Sequence, residues 1–331
     1  MAINKLMKAA LKALSYPDIN LKKNYKLERT FMNVKGYHPI KPSYNVWDHS
    51  VFYQDHKIPV RIFSPVLGKN PSEEIVDEHN WNNTKEYPIL LFFHGGGWVA
   101  GNIDSYNRVC LNLATKTKHL VVSVDYRLAP EHPFPAGLED CYAVAKEIFQ
   151  KTDLLHSKPE YITLIGDSAG GNLAAAVSLM ARDRGDFEPK RQVLIYPATY
   201  NDHGDTSPFA SIQENGSDYL LTSKMLQDYM ELYMGNQNDW ENPYFAPLLA
   251  KDFSRQPDTL ILTAEYDPLR DEGEAYGEKL WQAGNQVEII RISDALHGFI
   301  SLPLKFQQVK ESMELIQQFI QKHSEPNLPI T

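Results

Sequence analysis

Short, largely apolar runs alternate along this chain with stretches of helical propensity. Residues 88–93, 120–126, 161–165, 192–196, 259–264 and 287–292 are of strand length and rich in β-branched and aliphatic side chains. Runs without strict apolar/polar alternation predict strands covered on both faces. Residues 137–150 and the Ala-rich segment 172–180 read as helices between them. Strand and helix in alternation predict a mostly parallel sheet with helices on both faces. Residues 46–65 add two strands joined near 54–57, for eight in all, and the polar stretch 67–86 reads as a surface insertion without chemistry.

The alternation breaks at residues 197–247. Helix-like segments carrying Phe209, Tyr219, Tyr229, Tyr233, Trp240, Tyr244 and Phe245 replace the next expected strand. An inserted lid is expected there, with packing of the insertion accounting for most of these rings. At the N-terminus Ile3, Leu6, Met7, Ala10, Leu11 and Leu14 repeat at helical spacing with Lys5, Lys8 and Lys12 interleaved. The lysines interrupt what a signal peptide would need as a continuous apolar region. The readings are a helix packed on the protein, a membrane-surface helix or a lid element, with packing favoured.

With 331 residues and 43% hydrophobic content the chain can bury a large core as a single domain, 1–331. A formal net charge of −9 and the lack of a basic face argue against a nucleic-acid partner. No apolar run reaches the roughly 18–20 residues of an integral membrane helix. The two cysteines, Cys110 and Cys141, fall in predicted helices on either side of the 121–126 strand and read as buried small hydrophobes. There is no C-x-x-C and no H-E-x-x-H, so neither a metal nor a disulfide framework is expected, and a cytoplasmic location is compatible with this usage.

Two glycine-rich segments bring chemistry. In Gly166-Asp167-Ser168-Ala169-Gly170-Gly171 one serine stands between a buried strand and an Ala-rich helix. The chain must turn sharply at Ser168, and neighbours with little or no side chain permit the strained backbone of a nucleophile elbow. The strand 88–93 runs into His94-Gly95-Gly96-Gly97-Trp98, where three consecutive glycines free backbone N–H groups to point into a cavity. Such donors can hold the oxyanion of an acyl-transfer intermediate. A phosphate loop lacks support, because neither the P-loop lysine nor G-x-G-x-x-G spacing is present.

These blocks, with Val124-Asp125-Tyr126-Arg127-Leu128-Ala129-Pro130-Glu131, Asp267-Pro268-Leu269-Arg270-Asp271-Glu272-Gly273 and His297-Gly298-Phe299, occur in one order over most of the chain. The sequence resembles the α/β-hydrolases of the hormone-sensitive-lipase-like carboxylesterase branch. The resemblance implies Ser168 as nucleophile, Asp267 and His297 as its partners, and Gly96, Gly97 and Ala169 as oxyanion donors, with Gly95 supporting. It also implies a helical cap built from about 1–45 and about 197–247, a small ester substrate of short acyl chain and no cofactor, and it leaves a homodimer open. An amidase or peptidase, a longer-chain lipase with the same triad and a non-catalytic ligand-binding member of the fold stand as alternatives. Trp98, Leu269 and Phe299 are expected to shape the substrate pocket. The segment from Arg127 to Pro135, His132 included, is expected to be scaffold.

Within such a fold the order is nucleophile, acid, histidine. Of the histidines after Ser168, His203 follows too soon and His323 lies in a polar tail, whereas His297 follows the 287–292 run. Glu265, Asp267, Asp271 and Glu272 compete at the end of the 259–264 run. Pro268 holds Asp267 extended in the loop, while Asp271 and Glu272 suit the first turn of a helix.

Overall fold

The computed structural model describes residues 20–40, 44–67 and 86–322, together with Leu11, Lys12 and Ser15. Most of the N-terminal periodic segment and residues 68–85 of the polar stretch lie outside the described residues. Among the described ones, eight strands form one sheet in the order β1-β2-β4-β3-β5-β6-β7-β8. The strands are β1 (Tyr44–Tyr53), β2 (His56–Leu67), β3 (Ile89–Phe93), β4 (Leu120–Val124), β5 (Ile162–Asp167), β6 (Arg191–Ile195), β7 (Asp258–Tyr266) and β8 (Val287–Leu296). β2 runs antiparallel to β1 and β4, and every other pairing is parallel.

The inner parallel strands, β3 to β7, are buried on both faces along their apolar runs. At the sheet edge β8 is largely half-exposed, with Ile289 facing solvent, because among the described residues no further strand or helix covers it fully. β3 shows the division: Ile89, Leu91 and Phe93 face one core and Leu90 and Phe92 the other. On the first side lie helices α3 (Ala136–Gln150), α4 (Ala169–Arg184) and α7 (Arg270–Gln282). On the second lie α2 (Asn107–Thr117) and α8 (Gln307–Lys322). The alanines of α4 let it lie close against β5 and β6, and every residue from Ala169 to Ala181 is buried. Cys110 and Cys141 are fully buried, one in each core, so the sheet separates them.

Between β6 and β7, which pair directly, the chain forms α5 (Ala210–Asn215), α6 (Ser223–Tyr233) and two further short turns. Its aromatics are mainly packing. Tyr233 stacks on Trp98 at 4.6 Å, with Phe245 and Phe134 completing the cluster. The helix α1 (Leu21–Gly36) packs against α6. Of the residues before it, Leu11 is buried, Lys12 pairs with Asp218 and Ser15 Oγ accepts the Leu220 N–H, so this part meets the same insertion.

The start of the 127–135 segment is tied to α3 by one carboxylate. Asp140, fully buried on α3, accepts the Arg127 backbone N–H at 2.9 Å, the Arg127 guanidinium at 2.8 and 2.9 Å, and His56 Nε2–H at 2.9 Å. Removing one partner of a buried pair strands the other's charge. Asp140→Ala is expected to lower stability by about 3 kcal/mol in urea unfolding. A loss under about 1 kcal/mol would show that this segment is held by its other contacts.

Candidate active site

One residue separates β5 from α4. Ser168 has φ 55 and ψ −119, a left-handed conformation that a non-glycine residue adopts only under constraint. Its N–H donates to the Ile195 carbonyl at 2.9 Å, and its carbonyl accepts the first helical bond from Asn172 N–H at 3.0 Å. The turn leaves no room beside it. A Cβ on Gly166 would lie 2.2 Å from the Gly170 oxygen, and one on Gly170 would lie 2.0 Å from the Phe93 oxygen. The second clash shows how closely the start of α4 approaches the end of β3, which brings the two glycine-rich segments together.

Ser168 Oγ lies 2.8 Å from His297 Nε2. His297 Nδ1 lies 2.7 Å from Asp267 Oδ2, and because a carboxylate only accepts, the ring carries its proton on Nδ1 and receives the serine hydroxyl on Nε2. Asp267 is fully buried, and its Oδ1 accepts the Leu269 N–H at 2.9 Å. β8 continues to Leu296, four residues past the apolar run, across a register shift opposite Glu265. The polar pair Ser293-Asp294 hides that extension from a hydrophobic reading. His297 is therefore the residue directly after the strand.

The competing carboxylates are engaged elsewhere. Glu265 accepts the Asp294 N–H at 2.7 Å. Asp271 accepts the Ser211 N–H and the Arg270 guanidinium, each at 2.7 Å. Glu272, in the first turn of α7 and fully buried, accepts the N–H groups of Thr199 and Tyr200 and pairs with buried His203 at 2.8 Å. These contacts lace the acid loop to the first leg of the insertion.

At the end of β3, His94 is fully buried and stacked on Tyr126 at 4.3 Å, and burial pushes its pKa down to about 4. It is neutral near pH 7, with Nδ1–H donating to the Gly95 carbonyl at 2.8 Å. Gly96 and Gly97 take positive φ, 119 and 61. Their N–H groups and that of Ala169 donate to no acceptor among the described residues. The Gly95 N–H differs, since it donates to Asp167 Oδ1 at 2.9 Å. Gly95 therefore supports the loop without offering a free donor.

Trp98, Leu269 and Phe299 are all buried. Trp98 lies in the aromatic stack with Tyr233, and Phe299 packs edge-on against Tyr196. Tyr229 of α6 stands beside the glycine loop, because a Cβ on Gly97 would fall 2.5 Å from its ring.

Asp167 was not singled out by the sequence reading, although a carboxylate at the end of an all-buried strand is itself a signal. It accepts from Gly95 N–H, Tyr106 O–H at 3.1 Å and Tyr196 O–H at 3.2 Å, and the Tyr196 ring lies 4.7 Å from that of His297. One carboxylate thus ties the glycine loop, the serine turn and the ring behind the histidine. No group of three or more His, Cys, Asp or Glu side chains among the described residues is placed to hold a metal ion.

A strand-to-helix serine turn on a sheet of this order, with acid and histidine at the ends of β7 and β8, has clear counterparts. The α/β-hydrolase fold family model matches residues 90–301. The chain belongs to that family. An arylesterase of Saccharolobus solfataricus is 33% identical over 272 residues, 82% of each chain. An ethyl acetate hydrolase of Pseudomonas putida is 32% identical over 81% of this chain and 79% of its own. The solved structure of a hyperthermophilic esterase from Pyrobaculum calidifontis superposes with a TM-score of 0.80 at 33% identity, covering 97% of this chain and 99% of the other. These relatives are esterases, and they bear out the resemblance to the hormone-sensitive-lipase-like carboxylesterase branch. No described helix is long and apolar enough to cross a membrane.

Burial pushes the Asp167 carboxyl from 3.8 up to about 6, against the opposing pull of the Gly95 N–H, the tyrosine hydroxyls and His297. The ionised form is therefore penalised in the fold. That penalty is absent below the unfolded value, grows as pH rises through the interval to about 6 and is complete above it. Relative to Asp167→Asn, the wild-type protein should lose up to about 3 kcal/mol of stability between about pH 4 and about pH 7. A difference that does not change with pH would show that Asp167 ionises in the fold without penalty.

Proposed function

We propose that this α/β-hydrolase cleaves short-chain carboxylic esters by two-step acyl transfer at Ser168. The reading rests above all on the continuous chain Asp267–His297–Ser168, with contacts of 2.7 and 2.8 Å. His297 takes the hydroxyl proton as Ser168 Oγ attacks the ester carbonyl. Asp267 accepts the Nδ1–H bond, fixes the tautomer and stabilises the imidazolium that forms. The N–H groups of Gly96, Gly97 and Ala169 take the developing oxyanion, where one lost donor typically costs about 3 kcal/mol of transition-state stabilisation. His297 then protonates the leaving alcohol. Water repeats the sequence on the acyl-enzyme and releases the acid, and no step calls for a cofactor.

The preference for short acyl chains draws support from the packing around the glycine loop. Tyr229 lies against Gly97, and Trp98 and Tyr233 fill the volume behind it. The P. putida relative, named as acting on ethyl acetate, fits the same reading. The insertion 197–247, with α1 resting on α6, is proposed as the cap, joined by the rest of about 1–45.

Hydrolysis of a p-nitrophenyl ester series from acetate to palmitate, by wild type and Ser168→Ala side by side, tests this directly. Turnover should peak at short chains and fall by several powers of ten in the variant, which should remain folded. A peak at long chains would make the protein a lipase, and activity retained by Ser168→Ala would remove that residue from the mechanism. Asp267→Asn should lower kcat on the order of 10⁴, by comparison with serine proteases of the same constellation. An effect under about tenfold would point to another source for the histidine's orientation.

A further inference from the structure

Helix α1 has two apolar sides, and among the described residues only one packs against the protein. Inward, Leu21 is buried and Tyr25 packs on the core. Arg29 donates to the Val99 carbonyl at 2.6 Å and the Ala129 carbonyl at 2.8 Å, and Asn33 accepts the Gly101 N–H at 3.1 Å. These contacts hold the helix onto the segment that follows the glycine loop. Outward, Leu27, Phe31 and Val34 stand at i, i+4 and i+7, one stripe of a helix, with Tyr37 just past its end. They are 65%, 61%, 71% and 58% exposed. Lys23, Lys26 and Lys35 are also exposed and flank the stripe on both sides.

We propose that the outer face of α1 is a docking surface for an anionic phospholipid bilayer. An apolar stripe bordered by lysines is the composition that lies in a membrane interface, with the apolar side chains among the acyl boundary and the ammonium groups at the headgroups. The stripe is a convex ridge, which suits a broad surface and not a single lipid molecule. Charge also decides against a second copy of the chain. A two-fold contact through this face would bring each copy's lysines against the other's, and like charges across an interface are unfavourable. The overall charge of −9 does not oppose the contact, since screening over about 8 Å leaves the lysines nearest the surface dominant.

Binding can be read without any turnover, so its outcome is separate from that of the ester-hydrolase proposal. The full chain would be co-sedimented with phosphatidylcholine vesicles, with and without about one-third phosphatidylglycerol, at two salt concentrations. Binding should require the anionic lipid and weaken with salt. The combined variant Leu27→Ser, Phe31→Ser, Val34→Ser should bind at least about tenfold less while keeping the wild-type circular dichroism spectrum and thermal unfolding midpoint. Lys23→Glu, Lys26→Glu, Lys35→Glu should abolish the preference for phosphatidylglycerol. Wild type that stays in the supernatant, or serine variants that sediment equally, would overturn the proposal. So would a dimer, seen by light scattering, that the serine substitutions convert to monomer in the absence of vesicle binding.

Discussion

The left-handed turn at Ser168 is the constraint on which the rest of the molecule depends. A strand that reverses into a helix through one residue can exist only if the helix start lies almost in contact with the neighbouring strand end. Gly166 and Gly170 supply that clearance, and the Phe93 oxygen occupies it. The backbone strain of such a residue, roughly 1–3 kcal/mol, persists because surrounding structure over-determines it. Here the Ile195 carbonyl, the first bond of α4 and the buried alanines of that helix hold it in place. β3, β5 and β6 therefore adjust to one turn, and their loops converge on it as a result.

Asp167 carries the same constraint into the polar layer. Its side chain leaves the strand one residue before the turn and gathers donors from three separate segments. A second buried carboxylate, Glu272, does comparable work on the far side, joining α7 to the first residues of the insertion. Both are carboxyl groups placed in the interior, where a polar group without hydrogen-bond partners is costly. Two buried polar anchors thus border the site, one at the glycine loop and one where α7 meets the insertion.

How much of this was legible in the sequence depended on the kind of signal. Continuous apolar runs marked β3 to β7 well because burial on both faces leaves little else for those positions to be. The Ser–acid–His order drew Asp267 and His297 from several candidates, and the structure places both in one chain with Ser168. The last residues of β8 were hidden by Ser293 and Asp294, whose polar side chains interrupt the apolar run although Ala295 beyond them is buried. Asp167 went unnoticed for the opposite reason: glycine and serine dominated a motif in which the carboxylate is the buried member. Trp98, Leu269 and Phe299 stand out through their place next to the motifs, and all three are buried there.

The two cysteines have a practical consequence. Each is sealed in its own core, burial pushes the Cys110 thiol up to about 12 and raises the Cys141 thiol well above its ordinary value, and the sheet stands between them. Neither presents a thiolate to a reagent while the fold is intact. A cysteine introduced at an exposed position would thus be the one sulfur a maleimide dye or spin label could find, with no native residue to remove beforehand. The wild-type chain is already the background on which distances between the insertion and the sheet can be measured.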